Sequence, residues 1–71
     1  MNTVKKHSVM IAGHTTSVSL EKEFWEELIM IAKNKQSSVN ALVTEIDAKR
    51  HPETNLSSAI RVYILNDLKQ R

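Results

Sequence analysis

Apolar and polar positions alternate strictly over residues 15–20 (TTSVSL). The alternation runs without a spacer into Glu21-Lys22-Glu23-Phe24-Trp25, where the period changes to that of a helix. The two-residue period predicts a strand with one face turned to the core. A first helix is predicted over residues 21–35, with Phe24, Leu28, Ile31 and Ala32 on one face and Trp25 and Ile29 widening it, while Met30 lies off the stripe. The polar stretch Asn34 to Ser37 breaks the pattern, and Ser38 is the natural N-cap of a second helix over residues 38–50. Val39, Leu42, Val43 and Ile46 form its inner face. His51-Pro52 stops it, because proline cannot continue the hydrogen-bond ladder and disfavours the helical region at the residue before it. Asn55 or Ser57 caps a third helix over residues 56–69, in which Ala59, Ile60, Tyr63, Ile64 and Leu68 recur at spacings of three and four. The expected chain is mainly α, with one short β-strand and three helices. Nothing in it repeats or divides it, so residues 1–71 form one domain.

A lone strand leaves both rows of its backbone groups unpaired, so it needs either the residues before it or another copy of the chain. Residues 8–13 (SVMIAG) leave two possibilities open. Val9 and Ile11 alternate like a second strand that Gly13-His14 could turn back on residues 15–20, although the loop lacks an Asn-Gly or Asp-Gly signal. Alternatively, residues 8–20 form one long or bent ribbon segment in which Gly13 permits a bulge. Residues 1–7 read as a flexible basic arm carrying Lys5 and Lys6.

Seventy-one residues are near the lower limit for one self-sufficient core, so a further source of stability is expected. With no cysteine there is no disulfide or thiolate zinc site, and His7, His14 and His51 have no metal-ligand spacing. Oligomerisation is then the remaining staple. No apolar run approaches a membrane span and no signal-peptide core follows Lys6, which leads to the expectation of a soluble, cytoplasmic chain. No nucleophile–base pair, phosphate loop or paired-carboxylate arrangement stands out, and neither enzymatic activity nor a cofactor is expected. The net charge of +2 is too small to argue for nucleic acid alone. Its distribution is more informative: Lys5 and Lys6 precede the strand, Lys33 and Lys35 end the first helix, and Glu21, Glu23, Glu26 and Glu27 crowd its start. There they favour the helix dipole and require no further role.

Several segments together carry a resemblance: SVMIAGH at residues 8–14, TSVSLE at 16–21, Phe24-Trp25, NALV at 40–43 with Glu45-Ile46-Asp47, and NLSSAIR at 55–61. They resemble the short stand-alone ribbon-helix-helix domain proteins of bacteria and, more distantly, repressors of the Arc and MetJ type, which read DNA with a β-ribbon. That resemblance covers almost the whole chain. It implies a homodimer in which each chain lends one strand to an intermolecular antiparallel β-ribbon, the second helices cross at the two-fold axis, and the third helix is an addition to the unit. The shared core would contain Val18, Leu20, Phe24, Leu28, Leu42 and Ile46. The implied function is that of a transcriptional regulator, typically a repressor, that binds double-stranded DNA through the major groove.

Strand parity then assigns residues to that function. If Thr16, Val18 and Leu20 face inward, Thr15, Ser17 and Ser19 face outward as base readers. Hydroxyls suit several base edges, and the row lacks the basic or amide side chain common in related ribbons, so modest discrimination is expected. The N–H groups of Val39 and Asn40 with the Ser38 hydroxyl form an anion site at a helix N-terminus, and Lys5, Lys6 and Lys35 would add phosphate contacts. Each has a plainer counterpart: solvated strand hydroxyls, a simple N-cap, frayed lysines. Trp25 beside Phe24 suits packing better than base stacking. A different class of function is a protein-interaction module, antitoxin-like, that docks a partner protein through the third helix or the Met30–Trp25 surface.

Overall fold

A computed structural model describes residues 3–71; Met1 and Asn2, the first part of the expected basic arm, lie outside the described residues. The element order is β1 (Val4–Ile11), β2 (His14–Glu21), α1 (Lys22–Asn34), α2 (Val39–Lys49) and α3 (Leu56–Lys69). The single strand expected per chain is therefore corrected to two. Residues 4–7, expected in a flexible arm, belong to β1, and of the two possibilities for residues 8–13 the structure adopts the hairpin.

β1 and β2 pair antiparallel from Val4↔Glu21 to Ile11↔His14, leaving Ala12 and Gly13 as a two-residue turn. Both turn residues have positive φ, 50° and 80°, as a type I′ hairpin turn requires. Gly13 meets this requirement without cost, whereas Ala12 holds a left-handed conformation that its Cβ disfavours. The turn thus forms without the Asn-Gly signature because the strands on either side supply enough pairing to hold it.

Parity decides which side of the hairpin meets the core. Val9, Val18 and Leu20 are buried, His7, Ile11 and Thr16 half-buried, and all point toward the helices. α1 and α2 add Leu28, Ile31, Ala32, Leu42, Val43 and Ile46, and α3 adds Ile60 and Ile64, both without solvent exposure. Buried residues of both strands and all three helices meet in one cluster within the chain. Val18, Leu20, Leu28, Leu42 and Ile46, expected in a core shared by two chains, are buried within one, and Phe24 packs only partly buried against them. α3 is an integral wall of this core. Its last predicted inward residue, Leu68, is instead 43% exposed, since the final turn of α3 runs past the apolar layer.

The helix ends follow local chemistry. Ser38 Oγ accepts from the Ala41 N–H at 3.0 Å, and Asn55 Oδ1 accepts from the Ser58 N–H at 2.8 Å, which makes Asn55 rather than Ser57 the cap of α3. α1 closes in a Schellman motif: Ser37 N–H donates to Ala32 O at 2.8 Å, Gln36 N–H donates to Lys33 O at 3.0 Å, and Gln36 takes the left-handed position at φ 57°. This tight reversal sends the chain directly into Ser38 and fixes where α2 starts.

Candidate nucleic-acid interface

The outer face of the hairpin carries Lys6, Ser8 and Met10 from β1 opposite Ser19, Ser17 and Thr15 from β2. Met10 and Ser19 both direct their backbone N–H groups away from the hairpin. With antiparallel alternation, Met10/Thr15, Ser8/Ser17 and Lys6/Ser19 are then the non-hydrogen-bonded pairs, whose side chains approach most closely. Thr15 and Ser17 are exposed and Ser19 is half-buried. The expected hydroxyl row thus lies on one surface. Lys6, expected to contact phosphate from a flexible arm, instead stands across from Ser19 and gives that row a basic side chain. Ser8 was missed as a member; the alternation of Val9 and Ile11 would have placed it outward once β1 was recognised as a strand.

The remaining lysines go elsewhere. Lys5 has the opposite parity and lines a recess with His7, Lys22 and Trp25. His7 stacks on Trp25, with ring centroids 4.0 Å apart and planes 6° from parallel, so one face of this half-buried ring is taken by the imidazole. Lys35 holds its ammonium 5.5 Å from the centre of the Tyr63 ring, and a hydrogen bond to Tyr63, with Glu45 and Asp67 nearby, pushes its pKa up. It therefore bridges the end of α1 to α3.

At the start of α2, Ala41 N–H is taken by Ser38 Oγ and Leu42 N–H by Ser38 O, while the N–H groups of Val39 and Asn40 have no acceptor among the described residues. They form the open positive end of a helix of 11 residues. While the Asn40 N–H stays open, its side chain turns toward the sheet: its Oδ1 accepts from Met10 N–H at 3.0 Å. Thr44 Oγ1 donates to Asn40 O at 2.7 Å and lies 3.5 Å from Met10 O. These contacts fasten the α2 N-terminus beside the turn end of the hairpin.

α3 fastens the opposite end. Ser57 Oγ accepts from Ser19 N–H at 3.0 Å, and Arg61 Nη2 donates to Ser19 O at 3.1 Å. The same guanidinium donates to Glu21 Oε1 from Nε at 3.1 Å and Nη2 at 2.9 Å, and lies 5.7 Å from the Phe24 ring centre. A hydrogen bond from its own backbone N–H and the Arg61 contact lower the Glu21 pKa. Neither Ser57 nor Arg61 was singled out for this role in the sequence, where Ser57 was offered as a cap and Arg61 only closed the segment NLSSAIR. An unpaired Ser19 N–H would have been the only clue, and it exists only once the hairpin is known.

No group of three or more metal-ligating side chains occurs among the described residues, and no helix among them is long and apolar enough to cross a membrane. A β-unit followed by two short helices is the element order of the ribbon-helix-helix class, here with two paired strands ahead of α1. The chain belongs to that family: the model of the ribbon-helix-helix domain matches residues 4–68, from the first residue of β1 almost to the end of α3. No curated protein and no solved structure matches the chain.

Proposed function

We propose that this domain is a sequence-preferring, double-stranded-DNA-binding transcriptional regulator that acts as a homodimer and reads the major groove with the outer face of its hairpin. The observation that carries the reading is the joint placement of Lys6, Ser8, Thr15, Ser17 and Ser19 on one exposed face, with the unpaired Val39 and Asn40 N–H groups beside its turn end. Two strands about 4.8 Å apart fit a major groove about 12 Å wide. Lys6 is the residue able to donate to guanine, and the hydroxyls donate or accept at several base edges. The α2 N-terminus supplies a phosphate contact that carries no sequence information but sets the register of the face on the duplex.

The test is fluorescence anisotropy with a selected duplex and its scrambled counterpart over a salt series. Lys6→Ala is expected to lower affinity for both and to reduce their ratio, whereas Ser38→Ala lowers both equally. Absence of binding to any duplex at low salt defeats the proposal.

One observation favours a second reading, docking of a partner protein. α2 and α3 leave between them a cleft of about 340 Å³ with Ile46, Ala59, Val62 and Tyr63 among its lining and Glu45 and Lys49 at its side. Val62 is 54% exposed, and Leu65, one turn further along α3, is 52% exposed. Capture of a stoichiometric partner that Val62→Asp abolishes, with folding retained, supports this reading. Deleting α3 is no substitute, because Ile60 and Ile64 belong to the core.

A further inference from the structure

We infer that Asn40 is a positioning residue that couples the phosphate anchor of α2 to the base-reading face of the hairpin, so that the grip on the DNA backbone sets where Thr15 stands in the groove. The inference rests on the DNA-binding reading above and supplies the device that gives that reading its register.

Asn40 acts from both of its ends. Its backbone N–H has no acceptor among the described residues, because Ser38 Oγ takes the Ala41 N–H and Ser38 O takes the Leu42 N–H. Its side-chain Oδ1 accepts from Met10 N–H at 3.0 Å. Met10 is paired across the hairpin with Thr15, in a pair whose backbone groups face out of the two-strand ladder, so this N–H needs an acceptor from elsewhere. One turn further along α2, Thr44 Oγ1 donates to Asn40 O at 2.7 Å and lies 3.5 Å from Met10 O, so both backbone groups of Met10 face α2. Only one residue of α2 and one cross-strand pair therefore separate the open N–H from Thr15.

A phosphate contact carries no sequence information, but it fixes where the reading side chains fall. An error of about an ångström parts a hydroxyl from its base edge, since such bonds weaken steeply beyond their short optimum. The far end of the hairpin is held separately: Ser19, across from Lys6, is bonded to Ser57 and Arg61 of α3. Thr15 thus depends on Asn40, and Lys6 does not.

The experiment compares wild type, Asn40→Ala and Asn40→Asp for affinity to a selected duplex and its scrambled counterpart by fluorescence anisotropy, with Met10 amide exchange measured on the free proteins. Asn40 is exposed, so neither substitution removes a core contact. The alanine variant keeps its backbone N–H and is expected to bind the scrambled duplex like wild type, yet to lose about three- to tenfold of the preference for the selected one. The aspartate variant still accepts from Met10 N–H but sets a negative charge against the phosphate; it keeps the preference and loses affinity for both duplexes. Met10 exchange should accelerate about tenfold in the alanine variant and stay slow in the aspartate one. In double-variant cycles the effect of Asn40→Ala on preference should overlap with that of Thr15→Ala and add to that of Lys6→Ala, whereas a general loosening of the fold adds to both. Wild-type preference in Asn40→Ala, or unchanged Met10 exchange in it, overturns the inference alone. A wild type that binds no duplex overturns the DNA-binding reading itself, and the inference with it.

Discussion

Ala12→Asn probes the hairpin at its tightest point. Ala12 and Gly13 both lie at positive φ in a two-residue turn, and the pair opposite each other across it is Ile11 and His14. Glycine takes this conformation freely; alanine does not, because its Cβ crowds the following carbonyl, at a cost of about 1–2 kcal/mol relative to the right-handed region. Asparagine tolerates the left-handed region, and Asn-Gly is the preferred pair of a type I′ turn. Ala12 is exposed, so the substitution removes no core contact. The expected net gain is about 0.5–1 kcal/mol, part of the alanine cost being retained by the larger side chain. For a domain of this size that is a rise in Tm of roughly 2–8 °C. Thermal unfolding followed by circular dichroism measures it, with Ala12→Val as the opposite control, since a β-branched residue at positive φ should destabilise. If Asn is neutral or harmful while Val is tolerated, Ala12 does not occupy the left-handed turn, and the intrachain register built on it is wrong.

Other substitutions separate packing, capping and charge. Leu28→Ala empties a side chain with no exposed surface between the sheet and the helices, and urea denaturation should show a loss of about 3–5 kcal/mol, a large share of the stability of so small a domain. Ser38→Ala should cost about 1 kcal/mol through the lost bond to Ala41 N–H, measured in the same assay. The Glu21 carboxylate has a lowered pKa in the folded chain, so its contribution is present above its ordinary value of 4.5 and is lost as pH falls through the lower folded value. An acid titration followed by the Ser19 amide should show α3 loosening from β2 in that window, and Glu21→Gln should remove the pH dependence.

Much of the fold was legible because its signals are local. The alternation of TTSVSL fixed which residues of β2 look inward, Ser38 and Asn55 marked two helix starts, and Pro52 separated α2 from α3. β1 was harder to read. Lys5, Lys6 and His7 resemble a polar arm until they have a partner strand, and the turn uses Ala12 where a hairpin usually advertises Asn or Asp. That α3 is a wall of the core was not legible, because the burial of Ile60 and Ile64 depends on α3 folding back over β2, a long-range contact that helical periodicity does not encode. In the candidate site, the hydroxyl row followed from parity alone. Lys6 joined it only through cross-strand register, and the bond from Met10 N–H to the Asn40 side chain could not be read before β1 was known as a strand.

Ser17 stands at the centre of the proposed reading face, exposed and opposite Ser8, with no structural bond among the described residues. The most direct measurement is the affinity of wild type and Ser17→Ala for a selected duplex and its scrambled counterpart across a salt series. The account predicts that the alanine variant loses roughly three- to tenfold of its preference for the selected duplex while both salt slopes stay unchanged, because a base contact is lost and no phosphate contact is. Equal affinity of both proteins for both duplexes, or a change confined to the salt slope, would contradict base readout by the hairpin.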